Sequence, residues 1–498
     1  LLVFPSSSLA GDLRAGFPPF LGDLRSVQGP RIDRRSIKPF KMTRSKDIQL
    51  HHLPTDVLRR ILSQLTMKEA MRMSILSKKW RRLWKCYPKL VFTRAMMCRS
   101  NATTGPAKPL RTRFIRGVNS IQRQLKSSNL NKFVVKFALR KRHTPHIDRW
   151  VNFCASSMAK HVVLDLCPGP KGSTDTDDKY SFPLHLLGAS GGSCVKSLSL
   201  GFVYLALPPD HRGFANLKKL SLEIVHVTGD LGRLLPKCAV LEWLSLTRCR
   251  LDELSIGEEL SRLRCLQVKY CMLQKLHVRA PNLAMFVFAG RVIPILLGES
   301  VKISEATVDL VTSSDCFNYV FTDLVDALSH VPSLSIGFRI ETKQVINFVK
   351  NRTMLTNLRR LVLKIDIVGS PEVTGGILRL AYLLELAPAL EELVLHMHCF
   401  DSAIYGEPRE DAYQPHPHRH LKTIKMTGFY GLLGQVELAL YLLRNATSLE
   451  RMIIDPVVRN NWPIPPMGGA KQDIDRGTSI ALNKLSRQEF RKVLDILY

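Results

Sequence analysis

The chain has 498 residues, 45% hydrophobic and 23% charged, which is enough apolar material for two to four domains or one long repeat array. Eleven cysteines lie scattered without a C-x-x-C pair, which argues against a disulfide framework and for reduced thiols in the nucleus or cytoplasm. No apolar run reaches the length of a membrane span, and the formal net charge of +30 calls for acidic surroundings.

That charge is unevenly placed. Between Glu69 and Asp148 there is no acidic residue, against twenty Lys and Arg. Such a field suits an acidic protein, nucleic acid, or a solvated face with no dedicated partner. Residues 1–45, rich in Pro, Gly, Ser and Arg, are expected to stay unfolded. The sequence does not open on Met, and Met42 could serve as a start.

The stretch Leu53–Trp84 reads as three short amphipathic helices. Leu58, Ile61, Leu62 and Leu65 recur at i, i+3, i+4 and i+7, one apolar stripe at helical period. Pro54 stands where a helix starts, and Asp56 lies in a first turn, where a carboxylate suits the helix dipole. Thr66-Met67-Lys68-Glu69 is a capping box that opens the second helix. Ser77 caps the third, on which Trp80, Leu83, Trp84 and Tyr87 share a side. Three helices this short carry more apolar surface than they can bury among themselves. Either a partner protein or the rest of the chain must cover it.

Residues 93–113, polar and basic with a Gly-Pro break, read as a linker. Helix and strand then alternate. Phe114, Val118, Ile121 and Leu125 mark a helix, Phe133–Phe137 a strand, Ile147, Trp150, Val151 and Cys154 a helix, and His161–Leu166 a strand. That order points to parallel strands. Pro168–Lys179 reads as a loop whose GPKGST lacks phosphate-loop spacing.

From Val195 the unit L-x-x-L-x-L dominates. It recurs as Leu217/Leu220/Leu222, Leu241/Leu244/Leu246, Leu263/Leu266/Val268, Leu358/Leu361/Leu363, Leu390/Leu393/Leu395, Leu421/Ile424/Met426 and Leu449/Met452/Ile454. Intermediate copies lie at Leu251/Leu254/Ile256, Leu273/Leu276/Val278 and Leu283/Phe286/Phe288. This is the leucine-rich-repeat pattern, with Cys249 and Cys271 filling repeat corners. Units of strand plus return cannot bury their apolar faces alone, and stacking gives them one shared core. The expected fold is an α/β repeat solenoid, an irregular leucine-rich-repeat horseshoe with parallel strands on the concave face, behind a small all-α unit. Domains are expected at 46–92, 114–380 and 381–458, followed by a Pro-rich segment and a helical tail at Leu485–Leu497.

The concave face is the expected target surface, with Lys219, Trp243, Lys269, Arg360 and Glu392 as candidates and Trp243 the best anchor. The histidines at His396/His398 and His416/His418/His420 are poorly spaced for a single zinc site and read as surface or loop residues. No nucleophile elbow or dinucleotide fingerprint occurs, so neither catalysis, metal nor cofactor is expected.

Leu53-Pro54, Asp56, Leu58, Ile61, Leu62, Leu65, Ser77, Trp80 and Leu83-Trp84 together resemble an F-box. The resemblance implies docking to a Skp-type adaptor, and through it to a cullin, by Leu53, Pro54, Leu58, Ile61, Leu62, Leu65, Trp80 and Leu83. The last repeats, from about Ala381 to Pro456, resemble the FBD module of plant F-box proteins. The residues that carry this are His420-Leu421-Lys422-Thr423-Ile424, Gly428-Phe429-Tyr430-Gly431, Tyr441–Ala446 and Leu449-Glu450-Arg451-Met452. The implied function is a non-catalytic substrate receptor of an SCF-type ubiquitin ligase. The alternative is a basic nucleic-acid-binding or scaffold protein without a ligase role.

Overall fold

A computed structural model describes residues 53–97, 107–125, 129–168, 178–188, 194–207, 214–298, 301–311, 316–341, 353–368, 377, 380–399, 416–458 and 471–497. The chain forms two compact units, the first ending at Trp84 and the second beginning at Lys85. The sequence reading of residues 1–45 lies outside the described residues, as does most of the Pro-rich segment.

The first unit holds α1 (Thr55–Gln64), α2 (Met67–Leu76) and α3 (Lys78–Trp84). Pro54 is the N-cap of α1, and Asp56 in its first turn pairs with Arg59 at 3.1 Å. The capping box forms as its residues require. The Glu69 N–H donates to Thr66 Oγ1 at 3.3 Å, and the Thr66 N–H donates to Glu69 Oε2 at 2.8 Å. These bonds hold the Glu69 carboxyl below the usual carboxylate range. Ser77 Oγ accepts the Trp80 N–H at 3.2 Å and starts α3. The Lys79 ammonium then donates to the Leu53 carbonyl at 2.8 Å, tying α3 to the residue pair ahead of α1.

The second unit is built on one fifteen-stranded sheet in which every pairing is parallel. In order its strands are Lys89–Thr93, Lys132–Lys136, His161–Asp165, Ser197–Gly201, Lys219–Glu223, Trp243–Thr247, Cys265–Lys269 and Met285–Gly290. Glu305–Leu310, Ser333–Glu341, Arg360–Val368, Glu392–Cys399, Thr423–Thr427, Arg451–Asp455 and Leu494–Ile496 complete it. Sequence order is spatial order, as repeat stacking demands. Side chains alternate along each strand, so the second and fourth residues, such as Leu220 and Leu222, are buried. Their neighbours Lys219, Ser221 and Glu223 line the concave face.

Helices cover the buried side of the first and last strands. Phe114, Val118 and Ile121 are buried from helix Ala107–Gln124, and Ile147, Trp150, Val151 and Cys154 from helix Thr144–Ser156. Trp150 donates its indole N–H to Asn119 Oδ1 at 2.8 Å, which satisfies a group that would be costly to bury alone. Helix Leu433–Asn445 is buried from Leu433 through Leu443.

Between these ends the returns are short and carry two small parallel sheets of their own. One joins Tyr180–Ser181, Val203–Ala206 and His226–Thr228; the other joins Glu253–Ile256, Lys275–Val278 and Ile295–Leu297. The intermediate copies Leu251/Leu254/Ile256 and Leu273/Leu276/Val278 therefore lie on a return strand, while Leu283/Phe286/Phe288 joins the main sheet. The chain leaves the main sheet through left-handed residues: Phe202, Ile224, Arg248 and Tyr270, with φ between 51° and 59°. Each follows its strand directly. The Ile224 N–H donates to the Thr247 carbonyl and the Arg248 N–H to the Lys269 carbonyl, both at 2.8 Å. Cys249, next in the chain, is buried at this corner with its thiol 3.4 Å from the Leu222 carbonyl.

Two sequence boundaries move. Lys89–Thr93 is a strand of the main sheet, and Ala107 already begins a helix, so the expected linker 93–113 shrinks from both ends. Lys89–Thr93 alternates over too few residues to be told from the end of a helical unit. The expected helix at Leu485–Leu497 is displaced. Helical structure runs from Lys471 to Leu485, and Leu494–Ile496 is a strand paired to Met452–Ile454. Among the described residues no helix is long and apolar enough to cross a membrane.

Candidate functional site

Two surfaces follow from this architecture. The residues of the F-box-like pattern divide by exposure. Leu58, Leu62, Trp80 and Leu83 are buried, with Met67, Ala70 and Trp84. Ile61, Leu65 and Leu53 are half-buried, and Pro54 is exposed. A side chain already buried cannot contact a partner, so the first four shape the unit and only the others are free to touch. Three apolar side chains that the helical stripe does not include are exposed instead: Val57 at 43%, Ile75 at 76% and Leu76 at 71%. The sequence does carry their signal. In the apolar pair Ile75-Leu76, Leu76 falls off the Met67, Ala70, Met71 face of its own helix, and Ile75, four residues after Met71, lies at the margin of that face.

On the concave face, parallel register sets Lys219, Trp243 and Cys265 side by side, and the Lys219 ammonium lies 4.5 Å from the Trp243 ring centroid. Trp243 is half-buried and Lys219 exposed. Arg360 and Glu392 are also register partners, and they pair with each other at 2.9 Å. Lys269 stands at the opposite end of its strand, away from this row. The five candidates thus form two adjacent pairs and one separate residue rather than a single site.

Several further charges on or beside the later strands are likewise paired across the sheet. Glu391 accepts from Arg359 at 2.9 Å and Lys422 at 3.2 Å, and the Lys422 ammonium in particular keeps its carboxyl below the usual range. Arg451 reaches Asp495. His398 and His418 are buried rather than at the surface as expected, because each packs its ring against a polar partner within the fold, as half-buried His396 also does. His396 Nδ1 lies 2.8 Å from Thr427 Oγ1, His398 Nδ1 is 3.7 Å from Asp366, and His418 Nε2 is 3.1 Å from the Tyr441 hydroxyl. Among the described residues no group of three or more metal-ligating side chains comes together.

A small three-helix unit ahead of a parallel-strand repeat solenoid defines the class of an F-box leucine-rich-repeat protein. The F-box domain model matches residues 50–91, and the model of the At1g61320/AtMIF1 LRR domain matches residues 121–478. The chain belongs to this F-box/leucine-rich-repeat family. It is similar to F-box/LRR-repeat protein 13 of Arabidopsis thaliana, at 26% identity over 81% of this chain and 88% of that one. An F-box/FBD/LRR-repeat protein of the same plant is 25% identical over 81% of this chain and 89% of its own. A solved LRR protein of Leptospira interrogans aligns with 82% of this chain and 95% of its own at 16% identity, with a TM-score of 0.29.

Proposed function

We propose that this chain is the substrate-recognition subunit of an SCF-type ubiquitin ligase, acting where protein thiols are kept reduced, in the nucleus or cytoplasm. Its F-box docks a Skp-type adaptor bound to a cullin, its repeats hold a target protein, and the last repeats form an FBD-like end. The observation that carries this reading is the uncovered apolar surface of the F-box unit. Ile75 and Leu76 are each more than two-thirds exposed, while Leu58, Leu62, Met67, Trp80, Leu83 and Trp84 of the same unit are buried. Adjacent aliphatic side chains left in water favour burial by a partner, worth roughly 1.5–3 kcal/mol for each side chain fully covered.

The chain's part in the reaction is positional. Holding a target lysine near a loaded conjugating enzyme makes a bimolecular step effectively local, and this needs no catalytic group on the receptor. The test is capture of a purified Skp-type adaptor by wild-type protein and by Ile75→Asp/Leu76→Asp. Both positions are exposed, so the variant keeps its fold, and capture should fall at least about a hundredfold. Undiminished capture by that variant removes the docking surface from the proposal. Leu62→Asp or Trp80→Ala would be a poorer probe, since both residues are buried and their loss would unfold the unit.

A further inference from the structure

The lower edge of the main sheet is charged differently at its two ends. Parallel register aligns the first residue of each strand in one row, and the residue just before it in a second. Over the first five strands these rows read Pro88-Lys89, Asn131-Lys132, Lys160-His161, Lys196-Ser197 and Lys218-Lys219. The backbone ties the middle of the run together: the Lys196 N–H donates to the Lys160 carbonyl at 2.7 Å and the Lys218 N–H to the Lys196 carbonyl at 2.8 Å. Six lysines thus stand on five consecutive strands with no carboxylate between them. At about 4.8 Å per strand the run is about 19 Å long.

The later strands hold cations in the same two rows, and nearby carboxylates neutralise them. Arg359 and Lys422 share Glu391, Arg360 has Glu392, and Arg451 has Asp495. Lys218, on the strand that ends the lysine run, pairs with Glu242 at 2.6 Å. Lys132, Lys160 and Lys196 have no carboxylate partner among the described residues. His161, in the middle of the run, reports the same crowding. Burial first, then Lys132, Lys196 and Lys160, lower its pKa and favour the neutral ring.

We propose that this lysine run is the docking site for an acidic segment of the target protein, about six residues in extended conformation, whose next residue is apolar and packs on Trp243. The proposal rests on the receptor reading and names the chemistry of its target. Charge complementarity selects the occupant, because like charges spaced this closely repel unless an anion lies over them. Length agrees, since six extended residues span about 20 Å. Trp243 supplies the anchor, because it lies half-buried beyond the last lysines with the Lys219 ammonium 4.5 Å from its ring. A protein segment is favoured over a nucleic acid strand because half-buried His161 is the one aromatic ring among the lysines of the two rows, and single strands bind by stacking base after base.

The test uses the full chain and fluorescein-labelled peptides: six glutamates followed by leucine, and six glutamines followed by leucine. Fluorescence anisotropy should show the glutamate peptide binding at least tenfold more tightly, with affinity falling as salt rises. Lys132→Glu/Lys196→Glu/Lys219→Glu should weaken it by at least about tenfold, as three lost exposed contacts imply. The Lys→Gln version at the same positions should do so more mildly, which guards against a misfolded reversal variant. Arg359→Glu/Arg360→Glu/Arg451→Glu should leave affinity within about twofold. Equal binding of the two peptides, or equal loss from both charge reversals, overturns the proposal. Tighter binding of a single-stranded oligonucleotide of equal charge through the same lysines also overturns it. Adaptor capture by the same preparation separates the two readings. Peptide binding lost with capture intact removes only the lysine site, and capture lost with peptide binding intact removes only the receptor role.

Discussion

The Lys364 ammonium lies 3.3 Å from an Asp309 carboxylate oxygen although their strands are not neighbours. Gly337 occupies the same row on the strand between them, and its missing side chain leaves the path open. The pair spans two strand spacings, about 9.6 Å, which a lysine stem can cross only over a bare backbone. Both side chains are about a quarter exposed, so the expected coupling in a Lys364→Met/Asp309→Asn double-mutant cycle is modest, about 0.5–1 kcal/mol by denaturant unfolding. Gly337→Val should abolish that coupling by blocking the crossing, and a coupling that survives it would disprove the geometry.

The capping box sets the stability of α2. Thr66→Ala removes the acceptor for the Glu69 N–H and should cost about 1 kcal/mol, whereas Thr66→Ser should cost a few tenths at most. Unfolding of the F-box unit followed by circular dichroism would compare them. Equal losses would mean that the hydroxyl is not the capping group.

The left-handed corners make an opposite prediction. Arg248, at φ 51° and exposed, holds a conformation that side chains disfavour by about 1 kcal/mol. Arg248→Gly relieves this and should hold or raise stability. Arg248→Val, branched at Cβ, should lower it by about 1–2 kcal/mol. Thermal unfolding of both variants reads the difference directly, and a stabilising Val would refute it.

His418 predicts a pH dependence. Burial first, and then the neighbouring His416, lowers its pKa from 6.5 to about 4. Between these two values the unfolded chain takes up a proton that the folded chain refuses. This contribution to stability is therefore complete above pH 6.5 and is lost as pH falls toward 4. The expected loss is of the order of 1–3 kcal/mol. His418→Phe should flatten this limb of the stability-versus-pH curve. A variant that retains the full slope would assign it elsewhere.

Much of the fold was legible in the leucines. All seven principal copies of the repeat motif fall on strands of the main sheet, because Leu220 and Leu222, or Leu244 and Leu246, must point inward together. Strands Glu305–Leu310 and Ser333–Glu341 escaped the reading because Ala306, Val308 and Ile336 stand where leucine would have marked them. The return strands escaped it for the opposite reason. Leu254 and Ile256 repeat the main-sheet pattern faithfully, and only the pairing of Glu253–Ile256 with Lys275–Val278 tells them apart. The F-box surface was half legible. A helical stripe marks what is buried, so Leu58 and Leu62 stand out, while Ile75 is exposed at the margin of its helix's apolar face and Leu76 is exposed off that face. The lysine run could not be read from sequence at all. Lys132, Lys160, Lys196 and Lys218 are separated by 22 to 36 residues, and only parallel register makes them neighbours.

The strand Leu494–Ile496 gives the repeat array a blunt margin. Three residues are too few to template a further strand from another molecule, and Asp495, clamped by Arg451, places a charge on that rim. Proteolytic nicking just before it would bare Met452–Ile454, an apolar ribbon of unpaired amides and carbonyls. The trimmed protein would then be prone to edge-to-edge polymerisation while its remaining rungs stayed folded.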